Sequence, residues 1–162
     1  MGAAPESQTG IVRSVRVEIE APARLVWEVL LDLPRYAEWN RFNPRIESTL
    51  ELGAAVVMLA RNPLTGETVE VTEYLVALEP ERLLAWEQPP APGSRDAARR
   101  DQHLAALAPA RCAFHHSDRF FGPGAAQTLR EHGAWVKAGF DLMARNLKER
   151  AEALARQARA RR

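Results

Sequence analysis

The chain carries one cysteine, Cys112, among 162 residues. No intramolecular disulfide is possible, and that usage favours a cytoplasmic setting. Cys112 reads as a small buried hydrophobe. Net charge is also nearly absent, since 22 Lys and Arg against 21 Asp and Glu leave a formal +1. No global field argues for nucleic acid or an anionic membrane as a partner. No apolar run reaches bilayer length, so no stable membrane insertion is expected. Met1–Thr9 lacks a basic segment followed by an apolar run, which is the pattern of a signal peptide. Gly2 is followed at position 6 by Glu, where a myristoylation signal has Ser or Thr. His103, His115, His116 and His132 are scattered, whereas a metal site needs three or four ligands at a recognisable spacing. No metal and no cofactor are therefore expected. Gly122-Pro123-Gly124 lacks the Lys and Gly pattern of a phosphate loop. No Gly-x-Ser-x-Gly elbow is present.

What the chain does contain is ordinary for a globular protein: 46% hydrophobic and 27% charged residues. That composition and length suit one domain with a real core. Residues 1–10 are polar and read as a tail, residues 11–156 as the domain, and residues 157–162 as a basic frayed end. Arg156, Arg159, Arg161 and Arg162 suit the C-terminal pole of a helix dipole.

Periodicity then orders the chain. Ile11–Glu20 alternates, with Val15, Val17 and Ile19 on one face, as a half-buried strand does. Ala21-Pro22 breaks it and opens a short helix, Pro22–Leu31. A second turn or short helix, Pro34–Asn40, ends at Asn43-Pro44, because the residue before Pro is driven from the helical region. Strands follow at Ile46–Leu52, Ala54–Arg61, Glu67–Leu78, Arg82–Gln88, Arg100–Leu107 and Arg111–Phe121. The alternation of Glu67–Leu78 changes phase near Glu73 and Tyr74, which suggests a bulge and leaves open which of the two turns inward. Pro89–Ala98 is a loop. In the last strand Cys112, Phe114, His116, Asp118 and Phe120 share a face, with His115 on the other. His103, on the neighbouring strand, is open to either face.

Gly124–Arg156 reads as one long amphipathic helix. Leu129, Gly133, Val136, Phe140, Met143, Leu147, Ala151 and Leu154 recur at helical spacing. Lys137, Asp141, Arg145, Lys148 and Glu149 fall opposite, with i,i+4 charge pairs that suit a solvated face. Gly133 and Gly139 each cost about 1 kcal/mol relative to Ala inside a helix. Two of them suggest either a close approach to the sheet or room for a ligand. The fold class is thus α+β: an antiparallel sheet of about six to seven strands against a long C-terminal helix, with two short helices after the first strand. A hollow between such a sheet and helix is the default ligand site.

The segment from Val17 to Asn40, including Ala21-Pro22, Val26-Trp27 and Tyr36-Ala-Glu-Trp39-Asn40, resembles the opening of the SRPBCC superfamily. This is the START-like, helix-grip group of birch-pollen-allergen relatives, polyketide cyclase/dehydrases and lipid-transport proteins. Leu84-Ala85-Trp86, His116-Ser-Asp-Arg-Phe-Phe-Gly122 and Phe140–Glu152 are similar to three further blocks, in the right order, so the resemblance spans about residues 11–155, the size of a typical domain. It implies the helix-grip fold and leaves the activity open, because one fold hosts many functions. Trp27 and Trp39 are expected to pack helices onto the sheet.

Candidate chemistry centres on His116 and Asp118, two apart on one strand and so about 7 Å apart along it. In an apolar hollow such a pair suits general acid/base work, for instance proton abstraction beside a carbonyl during cyclisation. Alternatively, both are satisfied by backbone or helix partners and only shape the pocket. Trp86, Phe114, Phe120, Gly133, Val136 and Phe140 are the expected ligand-binding residues. Arg99, Arg100 and Asp101 follow the loop and read as a solvated strand end, or as a pocket mouth that meets an anionic group. Three functions compete: a carrier of a hydrophobic or amphipathic small molecule (lipid, polyketide or aromatic), a cofactor-independent cyclase/aromatase using His116 and Asp118, and a protein-interaction module. The charged outer residues Arg16, Glu18, Glu47 and Glu51 speak against the third. The oligomeric state is left open.

Overall fold

A computed structural model describes residues 10–162; the expected tail, residues 1–9, lies outside them. The strands are β1 (Ile11–Arg13), β2 (Val17–Ile19), β3 (Arg45–Glu47), β4 (Ala55–Arg61), β5 (Thr68–Glu79), β6 (Leu83–Gln88), β7 (Ala97–Ala108) and β8 (Arg111–Phe121). Between β2 and β3 lie helix α1 (Ala23–Leu31) and a 3-10 helix (Leu33–Glu38), and helix α2 (Ala125–Ala160) ends the chain. The eight strands form one antiparallel sheet in the order β1-β8-β7-β6-β5-β4-β3, with β2 also paired to β8. The α+β, helix-grip architecture is the expected one.

Four local features differ from the expectation. The single strand expected over Ile11–Glu20 is split at Ser14, whose Oγ accepts from the His116 backbone N–H and donates to the Val15 carbonyl. Inward parity passes from Val12 in β1 to Val17 and Ile19 in β2 across the break. The strand expected to run to Leu52 stops at Glu47, because Leu50 takes a positive φ of 58° and Leu52 is exposed. The irregularity of β5 lies between Leu75 and Ala77, two residues beyond the expected position. Upstream of it Glu73 faces in and Tyr74 faces out. Helix α2 also continues to Ala160, through four of the residues expected to fray.

The charged side of α2 is not simply a solvated face. Asp141 accepts from the Val15 N–H at 2.7 Å, and Lys137 donates to the Arg13 carbonyl. Further along, Lys148 donates to the Glu18 carbonyl at 2.6 Å, and Glu152 accepts from the Glu20 N–H at 2.8 Å. These side chains occupy backbone groups that an edge strand would otherwise present to another chain. Met143, Ala144 and Leu147 meanwhile sit in the core with Ile19, Val26 and Leu30.

The segment joining the 3-10 helix to β3 is held at several points. Asn40 Oδ1 accepts from the N–H groups of Phe42 and Asn43, closing a turn of the kind Asn favours. Asn146 of α2 accepts from the Arg41 N–H, and Asn43 Nδ2 donates to the Leu59 carbonyl. Tyr36 is buried and donates to the Leu30 carbonyl. Trp27 and Trp39 are buried as expected. Phe42 is thereby pressed onto α2, where a Cβ on Gly139 would collide with its ring. Gly139 answers to the close approach of Phe42, which lies outside the sheet, and neither to the sheet nor to room for a ligand.

Replacing Gly139 by Ala is expected to destabilise the protein by about 1–3 kcal/mol through overpacking, despite the better helix propensity of Ala. Urea denaturation read by far-ultraviolet circular dichroism checks this.

Candidate functional site

Register builds the site row by row. Leu75, Trp86, Arg100 and Asp118 are consecutive cross-strand neighbours on the inner face. Gln88, Ala98 and Phe120 form the next row toward the strand ends. Leu84, Gln102 and His116 form the row on the other side. A cavity of about 270 Å³ lies over the first two rows. Its walls include Met58, Val69, Val71 and Glu73 from β4 and β5, Arg100 from β7, Asp118 and Phe120 from β8, Phe42 and Asn43, and Thr128, His132, Trp135 and Val136 from α2.

Arg100 is the centre of this wall and is 4% exposed, a degree of burial that a lone guanidinium does not tolerate. Its Nη1 donates to Asn43 Oδ1 at 2.8 Å, and its Nη2 lies 3.0 Å from the Met143 sulfur. The guanidinium carbon is 4.8 Å from the Phe140 ring centre, 5.3 Å from that of Trp86 and 5.6 Å from that of Phe42. A cation among aromatic faces is attracted by their quadrupoles, the more so when dry. The expectation of a solvated strand end is thus wrong for Arg100. It holds in part for its neighbours, since Arg99 and Asp101 point to the outer face and bond each other at 2.7 Å. Alternation along β7 is the signal that separates them.

Two carboxyls face the same space. Burial raises Glu73 to about 7, against the pull of Arg100. Burial, reinforced by the charge of Glu73, raises Asp118 to about 8, again against Arg100. Arg100 itself is drawn down by burial, opposed by Glu73, Asp118 and Tyr36. No ion pair joins Arg100 to either carboxyl among the described residues, and Arg100 Nε and Asp118 Oδ1 have no hydrogen-bond partner there. The site therefore sets one cation, two readily protonated acids and the Asn43 amide among mostly apolar walls, with Gln88, Thr128 and His132 also on the lining.

His116 and Asp118 share the inner face, yet their surroundings differ. His116 belongs to the row beneath Phe140 and Phe114, with ring centres 4.7 Å and 4.9 Å away, and it does not line the cavity. Burial, and then Arg100, hold it well below the ordinary imidazole value. Both its ring nitrogens lack partners, as do both side-chain atoms of Gln102 and the Trp86 indole nitrogen. Asp118 lines the cavity, with Arg100 directly opposite on β7.

Of the other expected ligand-binding residues, Phe120 and Val136 line the cavity. Trp86, Phe114 and Phe140 are fully buried behind it, and Trp86 and Phe140 flank Arg100. Gly133 is buried against Leu129 and Val12 and lies off the lining. His103 and His115 stack at 4.5 Å on the outer face, with Ser117 3.1 Å from His103. Cys112 is buried, and burial pushes its thiol up to about 11. Among the described residues no group of three or more His, Cys, Asp or Glu side chains is placed to hold a metal. No helix among them is long and apolar enough to cross a membrane.

Residues 11–152 match the family of polyketide cyclases/dehydrases and lipid-transport proteins. The chain belongs to that family. Among solved structures it is similar to the Zhui aromatase/cyclase of Streptomyces sp. R1128, at 25% identity and TM-score 0.68, over 88% of this chain and 93% of that one. It also resembles the di-domain aromatase/cyclase BexL of the BE-7585A biosynthetic pathway, at 14% identity and TM-score 0.60, covering 89% of this chain and 51% of the other. A START superfamily protein of Mycobacterium smegmatis matches at 14% identity and TM-score 0.59, over 89% and 98% of the two chains. At that lower identity the likeness concerns the fold. No curated protein matches in sequence.

Stability is expected to fall as pH rises from about 4 toward 8, because Asp118 holds its proton in the fold up to about 8 and releases it near 3.9 when unfolded. The contribution is complete below the unfolded value and lost as pH rises to the folded one. His116, depressed in the fold, acts in the opposite sense below about 6.5. The difference between wild type and Asp118→Asn isolates the carboxyl: the variant should gain relative stability steadily from pH 5 to 8.5 in thermal melts.

Proposed function

We propose that the protein binds a small, largely apolar molecule between the sheet and α2, with one polar group of the ligand directed at Arg100. The observation that carries this reading is the buried guanidinium of Arg100 in the cavity wall, with an unpartnered Nε and two unpaired carboxyls beside it. The membership of a cyclase and lipid-transport family supports it. The cavity of about 270 Å³ suits a compact aromatic or a short folded chain better than a full-length lipid, since drug-sized pockets begin near ~300 Å³. Apolar walls supply most of the affinity, and the few polar groups fix orientation.

A second reading has its own observation. Glu73 and Asp118 titrate near neutrality beside a cation, which is how a site keeps one acid protonated and one ionised for proton transfer. That suits a cofactor-independent cyclisation or dehydration, in which Asp118 or Glu73 exchanges a proton with carbon or oxygen and Arg100 stabilises an enolate. The likeness to an aromatase/cyclase favours the same direction. In this version His116, neutral and enclosed, does not touch the substrate. The third reading, a protein-interaction module, has no comparable support. Of the exposed apolar side chains, Val69, Tyr74 and Val76 share β5, while Leu52, Leu64, Leu107 and Phe121 lie on separate strands and turns.

Two variants test binding. Val136→Trp, which fills the cavity from α2, should abolish retention of bicyclic aromatic ketones in native mass spectrometry while leaving the circular dichroism spectrum intact. Arg100→Met should weaken the same ligands about tenfold or more, the worth of a hydrogen bond to a charged group. Unchanged affinity in both would refute binding at this cavity.

A further inference from the structure

The inner end of the cavity holds more acidic than basic groups. Arg100 is the one buried cation among its lining residues, and Glu73 and Asp118 both face it. The other lining residue able to carry positive charge, His132, stands at the mouth, half exposed, and accepts from the Trp135 indole N–H at 3.1 Å. The groups around Arg100 are otherwise neutral or engaged elsewhere. Tyr36 donates to a backbone carbonyl, Asn43 accepts from the guanidinium, and His116 lies in the next row. Asp101 faces outward with Arg99.

A ligand carboxylate placed here would be the third acid around one guanidinium. In a desolvated space each unmatched charge is severely disfavoured. A carbonyl or hydroxyl adds no charge. It can accept from the Arg100 guanidinium, which lines the cavity, and, when it is a hydroxyl, donate to a carboxylate oxygen.

We infer that the inner end of the cavity is selective for charge: it takes an uncharged carbonyl or hydroxyl group, turns away a carboxylate, and Glu73 sets that choice. This rests on the binding reading above and extends it to the chemical class of the ligand, which excludes free fatty acids and aromatic acids. Asp118 sits directly opposite Arg100 across the β7–β8 ladder and keeps its proton up to about 8. Glu73 reaches the same space from β5, bonded to nothing among the described residues, and at about 7 it is the first of the two to ionise.

The selectivity is linked to pH. When both carboxyls are ionised, a carboxylate ligand meets two negative charges; when they are protonated, it meets a free guanidinium. Burial places that change near neutral pH for both groups, at about 7 for Glu73 and about 8 for Asp118.

The test uses 2-acetonaphthone and 2-naphthoate, which share a frame and differ in a methyl ketone against a carboxylate. Affinities are measured by calorimetry from pH 6 to pH 9, with circular dichroism at each pH to confirm folding. For wild type, 2-naphthoate should weaken by about tenfold or more across that interval, while the ketone changes by less than about threefold. In Glu73→Gln the loss for 2-naphthoate should shrink to under about threefold, because one of two repelling charges is gone. A wild-type 2-naphthoate affinity that is flat with pH overturns the inference, as does a folded Glu73→Gln protein that behaves like wild type. If Glu73→Gln does not fold, the wild-type pH series decides alone. Failure of both probes to bind at any pH overturns the binding reading and this inference together.

Discussion

A charged guanidinium is buried against the sheet in the middle of this domain, and much of the structure is arranged to tolerate it. Burial of an ion is among the costliest events in folding. Here the cost is met from several directions at once. Asn43 takes one donor, the Met143 sulfur faces another, and Phe42, Trp86 and Phe140 present their rings. Glu73 and Asp118 supply the opposing field without closing a direct bond. The partners come from α2, from β5, β6 and β8, and from the turn before β3, so the ion on β7 ties all of these to one point.

This explains why the turn at Asn40–Asn43 is so firmly held. Asn40 closes it, Asn146 of α2 grips its backbone, and Asn43 spans from the Leu59 carbonyl to the guanidinium. The Tyr-x-x-Trp-Asn stretch that marks the family in sequence is therefore a mounting for the cavity wall as well as a packing element. Gly139 belongs to the same arrangement, since it lets Phe42 lie flat on the helix and reach the cation. Gly122 is required for a different reason. Its φ of +93° and the Arg95 carbonyl beside it leave no place for a side chain where β8 turns into α2.

The fold was legible because it rests on period and punctuation. The alternation of β8 gave its inner face correctly, and the spacing of Leu129 through Leu154 gave α2. The site was less legible because its polar members look, in sequence, like surface residues. Arg100 stands between Arg99 and Asp101, and three charges in a row read as solvent-facing. Alternation along β7 sets the middle one apart, and its cross-strand pairing with Trp86 and Asp118 shows that its side is the inner one. His116 and Asp118 were found by parity, but parity does not show that one lies under Phe140 and the other at an open chamber. Lys137, Asp141 and Lys148 have the spacing of a salt-bridged outer face, and nothing local shows that an edge strand runs beside them.

The irregularity between Leu75 and Ala77 has a bearing on how such a chamber diversifies. A strand carries two alternating sets of side chains, and a bulge is the point at which they exchange faces. On β5 the set now indoors presents an acid at position 73, and the set outdoors presents a phenol at position 74. Moving that exchange point upstream of this pair, by one inserted and one deleted residue, would trade a carboxyl for a tyrosine in the chamber. β7, β8 and α2 would keep their places. The interior chemistry of this domain is thus editable by phase as well as by substitution, along a strand already long enough to absorb the shift.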